Sequence, residues 1–333
     1  MRFVKVFCFL IGVSNIVSAQ DSELEQYTIR GRAQGTTYSI SYFHRDKAVH
    51  KAKIDSLFDS VDRSMSLYRK GTLINRFNNS KNNSVIMDKH MKEVVKASFK
   101  ANEMSEGLFD ITVQPLTQVW GFSTDKQTHF PKAHEIDSVL NFVGMDKINI
   151  KGDTLYKLSP HVQLDLDGIA PGYTADYIAT FLQKMGISNF VVEVGGEVFV
   201  KGRKPNGEKL RIAINKPSSA DGQTIIELEN EAVATSGSYE QYRKYKGKTY
   251  THHIDPRTGY PIKNKTISAT IIAPKAISAD ALSSICMLMT PKESGKFISQ
   301  LKNVELFLLY EENNELKELQ SSGFSKYILA KTQ

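Results

Sequence analysis

Leu164-Asp165-Leu166-Asp167-Gly168-Ile169-Ala170-Pro171-Gly172-Tyr173-Thr174-Ala175-Asp176 reads as an apolar strand, a tight turn and the first turns of a helix. Ala175, Ile178, Ala179 and Leu182 recur at the helical period and give that helix a buried stripe, with Gly186 as its stop. Pro171 is welcome at the first helical position, where its missing N–H costs nothing. A helix N-terminus offers N–H groups to an anion, and the turn before it can aim carbonyl oxygens at a cation. The spacing is neither the GxGxxG of a Rossmann unit nor the GKS/GKT ending of a P-loop, so neither phosphate-binding fold is indicated.

Two further segments carry chemistry. His252-His253-Ile254-Asp255-Pro256-Arg257-Thr258-Gly259-Tyr260-Pro261 sets an imidazole, a carboxylate and a guanidinium beside two prolines and a glycine, on a stiff, turned loop. A polar surface turn is the simpler reading of the same residues. Ser278–Leu288 reads as a helix, with Ala281, Leu282, Ile285, Leu288 and Met289 as its apolar stripe. Asp280 and Ser284 are four apart on one side of it, and their oxygens suit a hard cation such as Mg²⁺ or Ca²⁺. Ser278 as N-cap would put Asp280 in the first turn, where the helix dipole alone favours a carboxylate.

Around these segments, 25–30 and 38–43 read as strands linked through Gly31–Thr37. Ile54, Leu57, Phe58 and Val61, then Met91, Val94, Val95 and Ser98, mark two helices separated by a polar loop at 78–84. The stretch 107–113 leads into an extended piece, and 190–194, 198–200, 210–214 and 267–272 read as strands. No internal repeat or linker divides the chain, so 20–333 is read as a single domain.

The composition is that of an ordinary globular protein: 333 residues, 41% hydrophobic and 24% charged. Net charge is +7, with Arg2 and Lys5 in an apparent export signal at 1–19 that ends in Val17-Ser18-Ala19. The remaining basic residues read as spread out, without a Lys/Arg stripe interleaved with aromatics, which argues against nucleic acid as partner. Cys8 belongs to the signal and Cys286 to an apolar helix face, so neither a disulfide nor a thiolate metal site can form. An exported, periplasmic protein without a stable membrane span is expected.

Together the segments resemble the ApbE family of FAD:protein FMN transferases, over roughly residues 27–310. The resemblance is carried by Gly35-Thr36-Thr37-Tyr38-Ser39, Met65-Ser66-Leu67-Tyr68, Gly107–Leu116 with Trp120-Gly121-Phe122, Leu164–Asp176, Gly195-Gly196-Glu197, Ala234–Tyr239, His252–Pro261 and Ala279–Leu282. It implies an α+β fold with a large mixed or antiparallel sheet, flanking helices and a cofactor cleft between two packed lobes. It also implies a reaction: FAD, the substrate, is split at its pyrophosphate. The FMN half is joined by a phosphoester to a Ser or Thr hydroxyl of an exported acceptor protein, and AMP leaves. The acceptors expected are subunits of ion-pumping quinone reductases or similar flavoproteins.

By the same resemblance the Ala170 carbonyl, Asp280 and Ser284 would hold Mg²⁺, with Ca²⁺ or Mn²⁺ as alternatives and Ser283 as a weaker ligand. FAD contacts would be Gln34, Tyr68, Leu108, Phe109, Asp110, Asp167, Tyr173 and Ile254. Phe109 is equally readable as core. His252 would be the general base, with His253 as its rival. Asp255 would orient the imidazole or support the metal, and Arg257 would pair with phosphate or with Asp255. Two positions depart from many relatives: Gln34 stands where Met is common, and Pro171 where Lys is common. A metal-dependent FAD pyrophosphatase and a non-catalytic flavin-binding protein are the alternative functions.

Overall fold

The computed structural model describes residues 24–123, 129–215 and 223–329, so the expected export signal lies outside the described residues. Its strands are β1 (Glu25–Ala33), β2 (Thr36–His44), β3 (Ser84–Ile86), β4 (Ile148–Lys151), β5 (Thr154–Lys157), β6 (Phe190–Val194), β7 (Glu197–Lys201), β8 (Leu210–Asn215) and β9 (Gln223–Leu228). They continue with β10 (Ala232–Gly237), β11 (Tyr242–Tyr245), β12 (Lys248–Thr251), β13 (Ile254–Asp255), β14 (Tyr260–Pro261), β15 (Thr266–Ala273), β16 (Glu305–Glu312) and β17 (Glu315–Gln320). The helices are α1 (Lys51–Met65), α2 (Leu73–Asn78), α3 (Lys89–Met104), α4 (Gln114–Trp120), α5 (Ala133–Leu140), α6 (Ala170–Lys184), α7 (Ala276–Leu288) and α8 (Pro291–Ser299).

An eight-stranded sheet, in the order β1-β2-β6-β7-β10-β15-β16-β17, frames the molecule, and each neighbouring pair is antiparallel. Strands β1 and β2 run further than their sequence suggested. Their register continues to Ala33 opposite Thr36, leaving only Gln34-Gly35 as the turn. Both residues are left-handed, with φ of 52° and 73°, the pair a tight hairpin requires. The expected strand at Leu164 and the extended piece at 107–113 are instead irregular, joined by one parallel bridge between Val113 and Gln163. No helix among the described residues is long and apolar enough to cross a membrane.

One face of the sheet carries α1 and α6 over Ile40, Tyr42, Phe190 and Val192. The small β8–β9 ribbon covers the other face through Ile212, Ile226 and Leu228. The stripes expected on α1 and α3 are buried in full. Helix α7 differs from its expected one-sided stripe. Ala276, Ala279, Asp280, Ala281, Leu282, Ser283, Ile285, Cys286 and Met287 are all buried, because α7 lies between the sheet and the other helices. Within α7 only Ser278, in the first turn, is exposed.

A buried helix cannot leave its terminal N–H and C=O groups to water. Ser278 is not the N-cap of α7; the helix starts earlier, after Lys275, which offers no capping side chain. Asp176 of α6 caps it from outside, accepting from the N–H groups of Ala276 at 2.9 Å and Ile277 at 3.0 Å. At the other end the Asn264 side chain donates to the carbonyls of Met287 and Met289, both at 2.8 Å. Burial lifts the Asp176 carboxyl to about 6, against the pull of the two N–H groups it receives. The uncharged amide of Asn can therefore do the same work. Asp176→Ala should cost about 1–2 kcal/mol in urea denaturation at neutral pH, while Asp176→Asn should stay within about 0.5 kcal/mol of the parent.

Candidate active site

The N-terminal end of α6 rests against the middle of α7. Gly172 makes this approach feasible: a Cβ there would fall 2.4 Å from the Ala276 carbonyl oxygen and 2.7 Å from the Asp280 Cβ. The Gly172 N–H donates to Asp280 Oδ2 at 2.9 Å. One turn along α7, Ser284 Oγ lies 3.2 Å from where a Cβ on Gly168 would be. Gly168 and Gly172, on either side of Ala170, thus touch Ser284 and Asp280, which lie one turn apart on α7. The half-buried Ser284 hydroxyl takes part in no hydrogen bond among the described residues. Ser283 points elsewhere, bonded to Ser236 Oγ at 2.7 Å and to the Asp280 carbonyl at 2.8 Å, which removes it as a ligand candidate.

The reading of α6 as an anion site does not hold. Its first N–H groups are occupied: Ala170 donates to Leu166 O, Gly172 to Asp280, and Tyr173 to Ile169 O, while Pro171 has none. What the region collects is carboxylates. Burial pushes Asp280 up to about 7, with Glu240 and Asp176 adding to the effect and the Gly172 N–H opposing it. Asp167 is open to water on one side yet enclosed by protein on the others. That enclosure and the neighbouring Asp165 carry it to about 7 as well. Glu240 reaches about 7, and Glu197 is raised well above the carboxylate range by burial and by Asp280 and Glu240. The groups acting on these carboxylates are mostly other carboxylates and backbone N–H groups.

Such an arrangement fits a hard divalent cation, which would supply the missing positive charge. Among the described residues no three His, Cys, Asp or Glu side chains converge as a metal-binding group. The expected donor set, one carboxylate, one hydroxyl and one carbonyl, is of the sparse kind that a hard cation completes with water or phosphate oxygens. Gln34 supports it from the β1–β2 turn. Its Nε2 donates to Thr174 Oγ1 at 3.2 Å, and that hydroxyl donates to the Ala170 carbonyl at 2.8 Å. Gln34 Oε1 is buried without a partner.

The other expected contacts divide into two groups. Tyr68 is 61% exposed, and its hydroxyl donates to Asp167 Oδ2 at 3.3 Å, leaving the ring free to stack. The charge of Asp167 and partial burial raise its phenol. Tyr173 shares a hydrogen bond with His90 Nδ1 at 2.8 Å and lies parallel to Tyr177. By contrast, Leu108, Phe109 and Ile254 are buried side chains, Phe109 and Ile254 within core clusters, and the Phe109 ring edge reaches to 3.7 Å from where a Cβ on Gly168 would be, beside Ser284. Asp110 accepts from Thr112 N and Oγ1 at 2.7 and 2.5 Å. It opens on a cleft of about 370 Å³ that Gly107, Met145, Pro256 and Arg257 also line.

The two histidines part company. His252 Nδ1 lies 3.1 Å from the Gln241 carbonyl, which can only accept. Nδ1 therefore holds the proton and Nε2 keeps its lone pair. Burial lowers the pKa of His252 and keeps the ring neutral. His253 is almost wholly enclosed, with Nε2 unpartnered and its ring 4.0 Å from that of His252, and burial holds it far below the usual imidazole range. Asp255 does not orient His252. Its carboxylate is taken by the Arg257 fork at 3.0 and 2.9 Å and by the Arg257 N–H at 2.9 Å, which shapes the loop. Asp255 thus holds Arg257 at the cleft, and the imidazole is held by Gln241, a partner with no mark in the sequence.

The ApbE family profile matches residues 34–308. The FAD:protein FMN transferase of Vibrio cholerae serotype O1 is 34% identical over 321 residues, spanning 94% of this chain and 96% of that protein. The Escherichia coli K12 protein of the same name is 30% identical over 323 residues, spanning 94% and 92%. The solved flavin transferase ApbE from Vibrio cholerae superposes with a TM-score of 0.83 at 33% identity, covering 91% of this chain and 99% of that one. The apo Pseudomonas stutzeri flavinyl transferase ApbE gives 0.81 at 29%, covering 91% and 96%.

Behind the carboxylate group, Glu193 is 6% exposed and is lifted to about 7 by burial, against the N–H groups of Gly196 and Ser39. Its folded pKa exceeds its unfolded one, so the stability it contributes is present below about pH 4.3 and lost as pH rises towards 7. Glu193→Gln, which cannot ionise, should raise the melting temperature by several degrees at about pH 8 and change it little near pH 4. Scanning calorimetry across that range checks the sign.

Proposed function

The chain belongs to the ApbE family, and from that footing we infer that it is an FAD:protein FMN transferase working where α6, α7 and the His252 loop meet. FAD is its substrate. The acceptor hydroxyl oxygen attacks the phosphorus of the FMN half and a new P–O bond forms. The pyrophosphate P–O bond breaks, and AMP departs with the bridging oxygen. His252 takes the hydroxyl proton on Nε2. Its neutral state and the Gln241 carbonyl at Nδ1 support that role.

Asp280, Ser284 and the Ala170 carbonyl would hold a divalent cation, for which Mg²⁺ is our choice. Bound there, it would neutralise phosphate charge that grows during transfer. The observation that carries this reading is the pairing of two α7 oxygens with the start of α6, inside a group of carboxylates held near pKa 7 without basic neighbours. Tyr68 and Asp167 would meet FAD at the rim, while Arg257, held by Asp255, would face phosphate in the cleft beside Asp110. In this chain Gln34 and Pro171 replace the Met and Lys of many relatives. Arg257, or another basic group, would then offset the missing lysine. The acceptor we propose is a protein bearing a Ser or Thr target outside the cytoplasm, an assignment supported by the signal-like residues 1–19.

Incubation with FAD, Mg²⁺ and a flavinylated-subunit homologue, read by in-gel flavin fluorescence and mass, tests this function. A covalent FMN adduct with AMP release is expected; FMN and AMP without an adduct would mean water is the acceptor. His252→Ala should keep FAD affinity within about twofold and lower transfer by about a hundred- to ten-thousandfold. Asp280→Ala, or thorough chelation, should abolish transfer, with Mg²⁺ restoring only the chelated sample. Full activity after chelation would sink the metal assignment.

A further inference from the structure

Strands β11 and β12 form a ribbon outside the main sheet, closed by Lys246-Gly247 with φ of 46° and 74°. Side chains alternate between its faces. The inner face is anchored: Tyr245 stacks on Phe130 at 4.2 Å, Tyr250 lies 5.6 Å from Trp120, and Arg243 donates to the Trp120 carbonyl at 2.6 Å. The outer face presents Tyr242, 52% exposed, with Lys244 and Thr249, also exposed. Lys246 follows in the turn, and Lys248, exposed, stands opposite Tyr245 at the tip, on the other face from Lys244.

None of these three lysines has a carboxylate at ion-pair distance among the described residues. Lys244 and Lys246 sit instead over the rings of Tyr242 and Tyr245, at 5.9 and 5.4 Å. The sequence reading of evenly spread basic residues missed this interleaving of Lys and Tyr. Neither edge of the ribbon pairs with another strand among the described residues. Its second strand runs straight into His252, whose N–H extends the ladder to the Gln241 carbonyl at 3.2 Å.

We propose that this ribbon is the docking surface for the acceptor protein, which lays an extended acidic segment along it. Its carboxylates would meet Lys244, Lys246 and Lys248, and its backbone would add to a free edge that leads to His252. Lysines on a free edge also discourage strand pairing between copies, but that role asks for no exposed tyrosine beside them. An anionic bilayer would satisfy the charge, yet it offers no backbone for the edge and no hydroxyl-bearing chain to deliver to the imidazole. The proposal rests on the transferase reading above, so its test is a binding measurement made without turnover.

The probes are a fluorescein-labelled peptide of about 20 residues, with one Thr flanked by Asp and Glu, and its Asn/Gln counterpart. Anisotropy should show the acidic peptide binding the parent protein about tenfold more tightly than the neutral one at low salt, with the advantage fading near 0.5 M NaCl. The variant Lys244→Glu/Lys246→Glu/Lys248→Glu should lose that advantage while keeping its melting temperature and FAD affinity. Equal binding of the two peptides, or an undiminished preference in the variant, overturns the proposal. So does a variant that loses only its binding to phosphatidylglycerol vesicles, which would make the ribbon a membrane contact. Intact peptide preference without any FMN transfer would fault the transferase reading and leave the docking surface standing.

Discussion

The hydrogen bond from the Gly172 backbone to the buried carboxylate of Asp280 is the constraint on which the site depends. It requires two helices to meet backbone to side chain, closer than any Cβ at position 172 would permit. That closeness sets Gly172 against the main chain of Ala276 and the side chain of Asp280 on α7. It also explains why the ends of α7 are satisfied by borrowed side chains. At the start Asp176 is the acceptor at hand, and at the end Asn264 is the donor. Asp176 belongs to α6, and Asn264 lies just past the His252 loop. The helix that carries Asp280 and Ser284 is thus fixed by the segments that carry the remaining candidate groups.

Electrostatics in the site runs against the stability of the metal-free protein. Asp280, buried, is held near pKa 7 and Glu197 higher still by desolvation and neighbouring carboxylates, and Asp167 and Glu240 are raised too although each is open to water on one side. A fold selected for stability alone would have placed lysine or arginine among them, or apolar residues in their stead. A cation that arrives with phosphate oxygens offsets the same repulsion, so the cost is recovered when the site is loaded. The His252 loop gives Asp255 to Arg257 and leaves the ring to a carbonyl.

Much of the fold was legible where periodicity and burial agree. The stripes Ile54-Leu57-Phe58-Val61 and Ala175-Ile178-Ala179-Leu182 each match one buried helix face, since an amphipathic helix has only one way to face a core. The strands at 190–194 and 267–272 were equally clear. Misreadings arose where tertiary contacts supplied what local sequence did not. Lys275 precedes α7 without a cap because Asp176 provides it from 100 residues away. The stretch 107–113 is apolar like a strand, yet it only bridges at Val113. Phe109 was readable as ligand contact or core, and the fold sets it in the core with its ring edge beside Gly168.

The sequence by itself determined the family, the apolar periodicities and the residue types that chemistry at phosphate demands: an imidazole on a proline-stiffened loop, and an Asp and Ser one helical turn apart. Those are properties of spacing along the chain, which survive in a linear string. Only the tertiary structure decided which oxygen of Asp280 is held, that Ser283 is turned away, that the first N–H groups of α6 are already occupied, and that Gln241, not Asp255, sets the His252 tautomer. Asp280 and Ser283 find partners far off in sequence, at Gly172 and Ser236, because burying most of α7 leaves its polar groups little water to turn to. The first N–H groups of α6 and the His252 ring find nearer partners that the turn and the ribbon fold back on them.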